Sequence, residues 1–257
     1  MENLKETILK SLDGDNIDLL PYIPYLLQDL WEIGSSAEAI IGIIKKHNLY
    51  KQDTTSKILD LACGKGAVSI SLAKEFGFSV HGIDAVSDFI EEARNKAKEW
   101  NVEKLCEFQI GDIRESVHAL REYDIIILGS IGPVLGNIEE TLQQLKTCIL
   151  PAGYIILDDA FIPIGSDFNH PDYLSENEFM AQINRSNFQI IGSSFINESD
   201  ISEYDDMYRH IETRAKELMA LYPAKKYLFE EYLKSQRVEN EILKNRVKCV
   251  KLLLKGK

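Results

Sequence analysis

Between residues 55 and 160 short apolar runs alternate with stretches of helical periodicity. Residues 57–62 (KILDLA) are a β-branched and leucine run that predicts a strand, and Val68 to Phe76 predicts the helix after it. Ser79 to Ile83 predicts a second strand, ending at Asp84. The next helix has Ser87 as its expected cap, Asp88 and Glu91 in its first turn, and Phe89, Ala93, Ala97 and Trp100 on one face. Leu105 to Ile110 is a third strand, followed by Gly111-Asp112, and Tyr123 to Leu128 (YDIIIL) is a fourth, apolar enough for burial on both faces. Asn137 and Glu140 form an expected capping box for a helix burying Leu142, Leu145 and Ile149. The triplet PAG then predicts a turn into a fifth strand, Tyr154 to Leu157. Strands alternating with helices imply a parallel sheet covered on both faces.

Helical patterns flank this core. Ser35 or Ser36 caps a helix to about His47, with Ile40, Ile43 and Ile44 inward. Residues 188–196 and 246–256 predict a sixth and a seventh strand. Between them Tyr204, Met207, Tyr208, Ile211, Ala215, Leu218 and Tyr222 recur at helical spacing until Pro223 breaks the helix. No repeat or low-complexity linker interrupts the chain. The expected organisation is one α/β domain: residues 1–50 as a helical cap, 55–160 as a core, and 197–245 as a helical insertion.

Composition narrows what such a domain can do. The chain of 257 residues carries a formal charge of −12, with 29 basic against 41 acidic side chains. That balance disfavours a nucleic-acid backbone as partner, which needs clustered Lys and Arg. The four cysteines (Cys63, Cys106, Cys148 and Cys249) form no CxxC pair, so no structural metal site is predicted. The first ten residues lack the apolar core of a signal peptide, and no apolar run is long enough to span a bilayer. A cytoplasmic protein is the expectation.

The chemistry centres on CGKG, residues 63–66, where a strand turns into a helix around two glycines. A Walker A loop needs Ser or Thr after its lysine, but Gly66 follows Lys65. A dinucleotide fingerprint needs a third glycine where Ser69 stands. Three acids use more of the pattern: Asp60 in the first strand, Asp84 at the end of the second and Asp112 after the third. In a parallel sheet these strand ends share the edge where ligands bind. A pyrophosphate would be repelled by Asp60, whereas a cationic ligand with a diol suits the three acids.

The stretches LDLACGKG, GID at 82–84, GDI at 111–113, YDIIILGSIG and LPAGYIILDD resemble, in order and spacing, the motifs of the class I S-adenosylmethionine-dependent methyltransferases. The resemblance implies a doubly wound, mostly parallel sheet of seven strands, the last antiparallel, with S-adenosylmethionine as cofactor. It places Ala62, Cys63 and Gly64 against the methionine portion and Asp60 on its ammonium. It places Asp84, with Ala85 beside it, on the ribose hydroxyls, Asp112 on the adenine amino group, Ile113 on the adenine ring, and Gly129 at the fourth strand end. Cys63 is then a small residue in a tight turn.

The acceptor is read less directly. The chain has GSIGPV after the fourth strand, not the Pro-Pro-aromatic run of adenine-N6 enzymes or the Pro-Cys of cytosine-C5 enzymes. A small molecule is therefore the expected acceptor. A protein or RNA methyltransferase, a dinucleotide-dependent oxidoreductase and a non-catalytic cofactor-binding module stand as alternatives. Expected substrate contacts are Trp31, Ser130, Asp158, Tyr204 and Tyr208, the two tyrosines as part of a lid. Plain structural readings stand beside some of these: the tyrosine stripe as a packed helix face, and Asp158-Asp159 as ordinary loop acids rather than ligands of a divalent metal. His170 and His210, which are candidate bases, read more simply as surface residues.

Overall fold

The computed structural model describes residues 3–50, 55–195 and 198–257. Seven strands form one sheet: β1 (Lys57–Leu61), β2 (Ser79–Asp84), β3 (Cys106–Ile110), β4 (Tyr123–Gly129), β5 (Ile149–Phe161), β6 (Phe188–Phe195) and β7 (Lys248–Gly256). Their order is β3-β2-β1-β4-β5-β7-β6, and β7 runs antiparallel to both neighbours while the other pairings are parallel. Strand order reverses between β1 and β4, so the carboxyl ends of the strands open a crevice there.

Before β1 lie α1 (Leu4–Lys10), a 3₁₀ turn at Ile17–Tyr22, α2 (Ile23–Leu26) and α3 (Ala37–Lys46). The crossovers carry α4 (Ala67–Phe76), α5 (Ser87–Glu99), α6 (Ile113–Ser116), α7 (Ile138–Leu145) and α8 (Glu176–Arg185). A helical hairpin, α9 (Glu198–Leu221) and α10 (Lys226–Asn245), separates β6 from β7.

One apolar cluster joins α3, α4 and α5 to one sheet face through Ile40, Ile44, Ile70, Leu72 and Ile90. A second joins α7 and α8 to the other face through Leu142, Leu145, Phe179 and Ile183. Ile125 to Leu128 of β4 are buried, as expected for a strand covered on both sides. A third cluster lies above the strand ends. There Leu9, Leu19, Ile23 and Leu26 of the N-terminal segment meet Ile211, Ala215 and Leu218 of α9 and Leu228, Phe229 and Tyr232 of α10. Tyr25 donates to Glu217 at 2.7 Å, and Arg214 pairs with Asp29 at 2.6 Å, across the same junction.

Local chemistry explains most boundaries. Asn137 accepts from the Glu140 N–H and the Glu140 carboxylate accepts from the Asn137 N–H, the expected capping box. Ser36 caps α3. Three features differ from expectation. The cap of α5 is Val86, because the Asp84 carboxylate accepts the Val86 N–H at 2.9 Å and leaves Ser87 inside the helix. β5 begins at Ile149, and PAG forms an irregularity inside it, where its register against β4 shifts between Tyr123 and Ile125. Ile149 is therefore a strand residue. Helix α8 is an addition to the expected elements, capped by Ser175, with Phe179 and Ile183 burying its inner face.

Candidate active site

Sharp turns at the carboxyl ends of β1, β2 and β4 build a cavity of about 990 Å³, mouth included. Its lining brings together Asp60, Ala62, Cys63, Gly64, Asp84, Ala85, Asp112, Ile113 and Gly129, with Trp31 and Ser130. Besides Gly64, two of these hold the left-handed backbone that residues other than glycine rarely adopt, Ala62 at φ 55° and Ser130 at φ 55°. The chain from Ile33 to Ser35 crosses close above two glycines. A Cβ at Gly64 would lie 2.9 Å from Ile33 Cδ1, and one at Gly129 would lie 2.5 Å from Ser35 Oγ. Neither crossing accommodates a larger residue without movement.

The acids are organised individually. Asp84 accepts the Gly64 N–H at 2.8 Å and the Val86 N–H at 2.9 Å, so its carboxylate holds the glycine turn against the end of β2. Burial pushes its pKa up, and those backbone donors oppose the shift. Asp60 accepts the Ser69 hydroxyl at 2.6 Å. Burial raises Asp60 to about 7, the Ser69 hydrogen bond opposes this, and the Asp84 charge adds to it. The position where a dinucleotide loop needs glycine thus holds a hydroxyl that supports a carboxylate. Asp112 caps α6 by accepting the Arg114 N–H at 2.9 Å, and the Arg114 guanidinium grips both its oxygens at 2.7–3.0 Å. That guanidinium holds Asp112 below the usual carboxylate range. Burial and the nearby acids push the Cys63 thiol well up, so it stays protonated, in keeping with a turn residue.

S-adenosylmethionine carries an ammonium, a sulfonium, a diol and an adenine amino group. The donor set fits it: four carboxylates (Glu32, Asp60, Asp84 and Asp112) line the cavity, and the one lysine among the described lining residues is already neutralised. Lys65 is 1 % exposed, pairs with Glu92 at 2.9 Å and donates to the Leu27 carbonyl at 2.7 Å. It ties the glycine turn to α5 and to the N-terminal segment.

Three expected substrate residues stand elsewhere. Asp158 lies inside the sheet: it accepts the Ser35 hydroxyl at 2.6 Å and pairs with Lys251, its register partner on β7, at 3.1 Å. A buried carboxylate needs such a cation, and β7 supplies one. Tyr204 and Tyr208 are not among the described lining residues. The Tyr208 hydroxyl accepts from Arg237 of α10 at 2.8 Å, and the Tyr204 hydroxyl faces Cys249 of β7. They face α10 and β7 because α9 packs its inner side on the N-terminal segment.

That segment supplies the roof instead. Leu4, Thr7, Ile8, Ser11 and Leu12 line the cavity from above, and the Arg114 guanidinium donates to Thr7 Oγ1 at 2.9 Å. The sequence predicts residues 1–50 as a helical cap but does not single out this helix as a cavity wall. Its signal is the spacing of Leu4, Ile8 and Leu12 behind Asn3, which accepts the Lys5 N–H as cap. Trp31 lines the cavity, its indole N–H on the Lys65 carbonyl at 3.3 Å.

Comparison with known proteins agrees with this geometry. The profile of the methyltransferase domain family matches residues 52–221. A demethylmenaquinone methyltransferase of Lactobacillus johnsonii is 27 % identical over 99 residues, 38 % of this chain and 41 % of that protein. A 23S rRNA uracil-C5 methyltransferase of Shewanella baltica is 36 % identical over 93 residues, 35 % of this chain and 20 % of that protein. The chain thus spans less than half the length of these two relatives. A methyltransferase of Geobacter sulfurreducens, solved with S-adenosyl-L-homocysteine, superposes with a TM-score of 0.76 at 14 % identity, covering 92 % of this chain and 98 % of that one. The chain belongs to the methyltransferase domain family and has the fold of the S-adenosylmethionine-dependent methyltransferases.

Proposed function

We propose that the protein transfers a methyl group from S-adenosylmethionine to a small-molecule acceptor by in-line displacement. One observation carries the reading: the acid-lined crevice and the space under α1 are a single cavity, roofed by the chain's own N-terminal segment. The bound sulfonium would supply a methyl carbon already activated for attack. The chain's residues need only bind, align and exclude water. Asp60 would neutralise the ammonium, directly or through water. Asp84, with both oxygens already oriented by backbone N–H groups, would accept the ribose hydroxyls beside Ala85. Asp112 and Ile113 would meet the adenine, and Ala62, Cys63, Gly64 and Gly129 would pass backbone against the methionine portion. Trp31 and Ser130 would border the acceptor. Residues 1–50, 55–160 and 197–245 would serve as cap, cofactor core and support for the cap.

RNA is the weaker acceptor. Its backbone needs exposed cations, and the one lysine among the described lining residues is committed to Glu92. The test is transfer of labelled methyl from S-adenosylmethionine to a mixture of cellular metabolites and RNA. Label is expected in the low-molecular-weight fraction, and label recovered in RNA would overturn the small-molecule reading.

A further inference from the structure

Helix α1 has two apolar sides. Leu9 is buried in the cluster formed with α9 and α10, while Leu4 and Ile8, with Leu12 just beyond the helix, face the cavity and are only partly covered. The helix also has a direction across the site. Thr7 is tied through Arg114 to Asp112, at the β3 end. Past the other end of α1, the Leu12 carbonyl and the Asp13 carboxylate accept from Gln236 of α10, at 3.4 and 2.9 Å. Leu12 thus lies away from Asp112, and Ile8 lies between the two ends. The cavity walls also include Ile33, where the N-terminal segment crosses Gly64, and Ile131 and Val134, just past the end of β4.

Resting on the methyl-transfer reading, we propose that the acceptor is an uncharged molecule with an apolar body, seated between Ile8 and Leu12 on one side and Ile33, Ile131 and Val134 on the other. Charge argues for this occupant as much as apolarity does. The ionisable side chains among the described lining residues are Glu32, Asp60, Cys63, Asp84, Asp112 and Lys65, and the lysine is sealed against Glu92. Among them no cation is left to meet an anionic acceptor, and the carboxylates would repel one. An apolar body would cover the side of α1 that the rest of the protein leaves partly bare.

The test uses the full chain loaded with S-adenosylhomocysteine and three probes of one length: 1-octanol, octanoate and octylamine. Calorimetry should show 1-octanol binding about ten-fold or more tighter than octanoate. Val134→Asp should weaken 1-octanol by about ten-fold and turn the preference toward octylamine, an inversion that loss of folding does not produce. Ile8→Asp, on the opposite wall, should do the same. Octanoate binding as tightly as 1-octanol, or no probe binding to a protein that holds S-adenosylhomocysteine, would overturn the inference and leave the methyl-transfer reading intact. Failure to bind S-adenosylhomocysteine would overturn both.

Discussion

At the strand ends, each acid of the cavity is fixed by groups close to it in the fold: Asp84 by Gly64 and Val86, Asp60 by Ser69, Asp112 by Arg114 two residues on. Under α1 the walls come from residues 4–12, 31–35 and 129–134, brought together by the packing of the N-terminal segment on the hairpin and by its hydrogen bonds to Arg114, Lys65 and Asp158. The first region is polar, built on β-strands and made largely by main-chain geometry. The second is apolar and made by side chains of helices and loops. A site of this kind separates its tasks: a cofactor region whose chemistry is constant, and an acceptor region whose shape depends on distant segments.

Five substitutions, one of them a control, sharpen or break that division. Asp84→Ala should cause the largest loss. Two charge-assisted hydrogen bonds of about 1.5–3 kcal/mol each amount to roughly a hundredfold or more in the dissociation constant for S-adenosylmethionine. Glu91→Ala, one turn into α5 and not among the cavity-lining residues, should leave that constant unchanged by calorimetry. Equal affinities would mean that Asp84 only fastens the glycine turn. Lys65→Met comes next. It leaves the Leu27 carbonyl without its donor, at a cost of about 1–3 kcal/mol in urea unfolding, and it loosens the link between the two regions.

Asp60→Asn should act through pH. Asp60 has a folded pKa raised from 3.8 to about 7 by burial, so the folded protein holds a proton there that the unfolded chain releases. Unliganded stability through this group therefore falls as pH rises from about 4 to about 7. A cationic ligand needs the ionised form, so affinity for S-adenosylmethionine should rise by roughly ten-fold between about pH 6 and about pH 8. The Asp60→Asn variant should show a flat profile over that range. Tyr208→Phe should have the smallest effect. The pair with Arg237 is exposed, and its loss should cost less than about 0.5 kcal/mol and leave cofactor affinity and the acceptor Michaelis constant unchanged. A raised Michaelis constant would return the hairpin to the acceptor wall.

The same division governs what the sequence reveals. Strand-to-helix turns announce themselves, because Gly64 and Gly66 at positive φ and a carboxylate at each strand end are local necessities. The strand positions and the meeting of Asp60, Asp84 and Asp112 are legible for that reason, whereas the antiparallel seventh strand is legible only through the family resemblance. The roof is legible only as a helical cap over residues 1–50. That residues 4–12 supply it is not, because a seven-residue helix carries its meaning only once Leu9 has a hairpin to pack on. Tyr204 and Tyr208 show the converse: helical spacing identifies a stripe, but which neighbour it faces is decided by Arg237 and Cys249, and neither is close in sequence. Asp158 reads as an available strand-end acid until Lys251 is placed opposite it in register.

The most direct test of the cofactor assignment is a pair of thermal melts of the wild-type protein, one with S-adenosylhomocysteine and one with NADH. S-adenosylhomocysteine at about a hundred times its dissociation constant should add roughly 2.7 kcal/mol of stability and raise the melting temperature, while NADH leaves it unchanged. A melting curve unmoved by S-adenosylhomocysteine and raised by NADH would contradict the account.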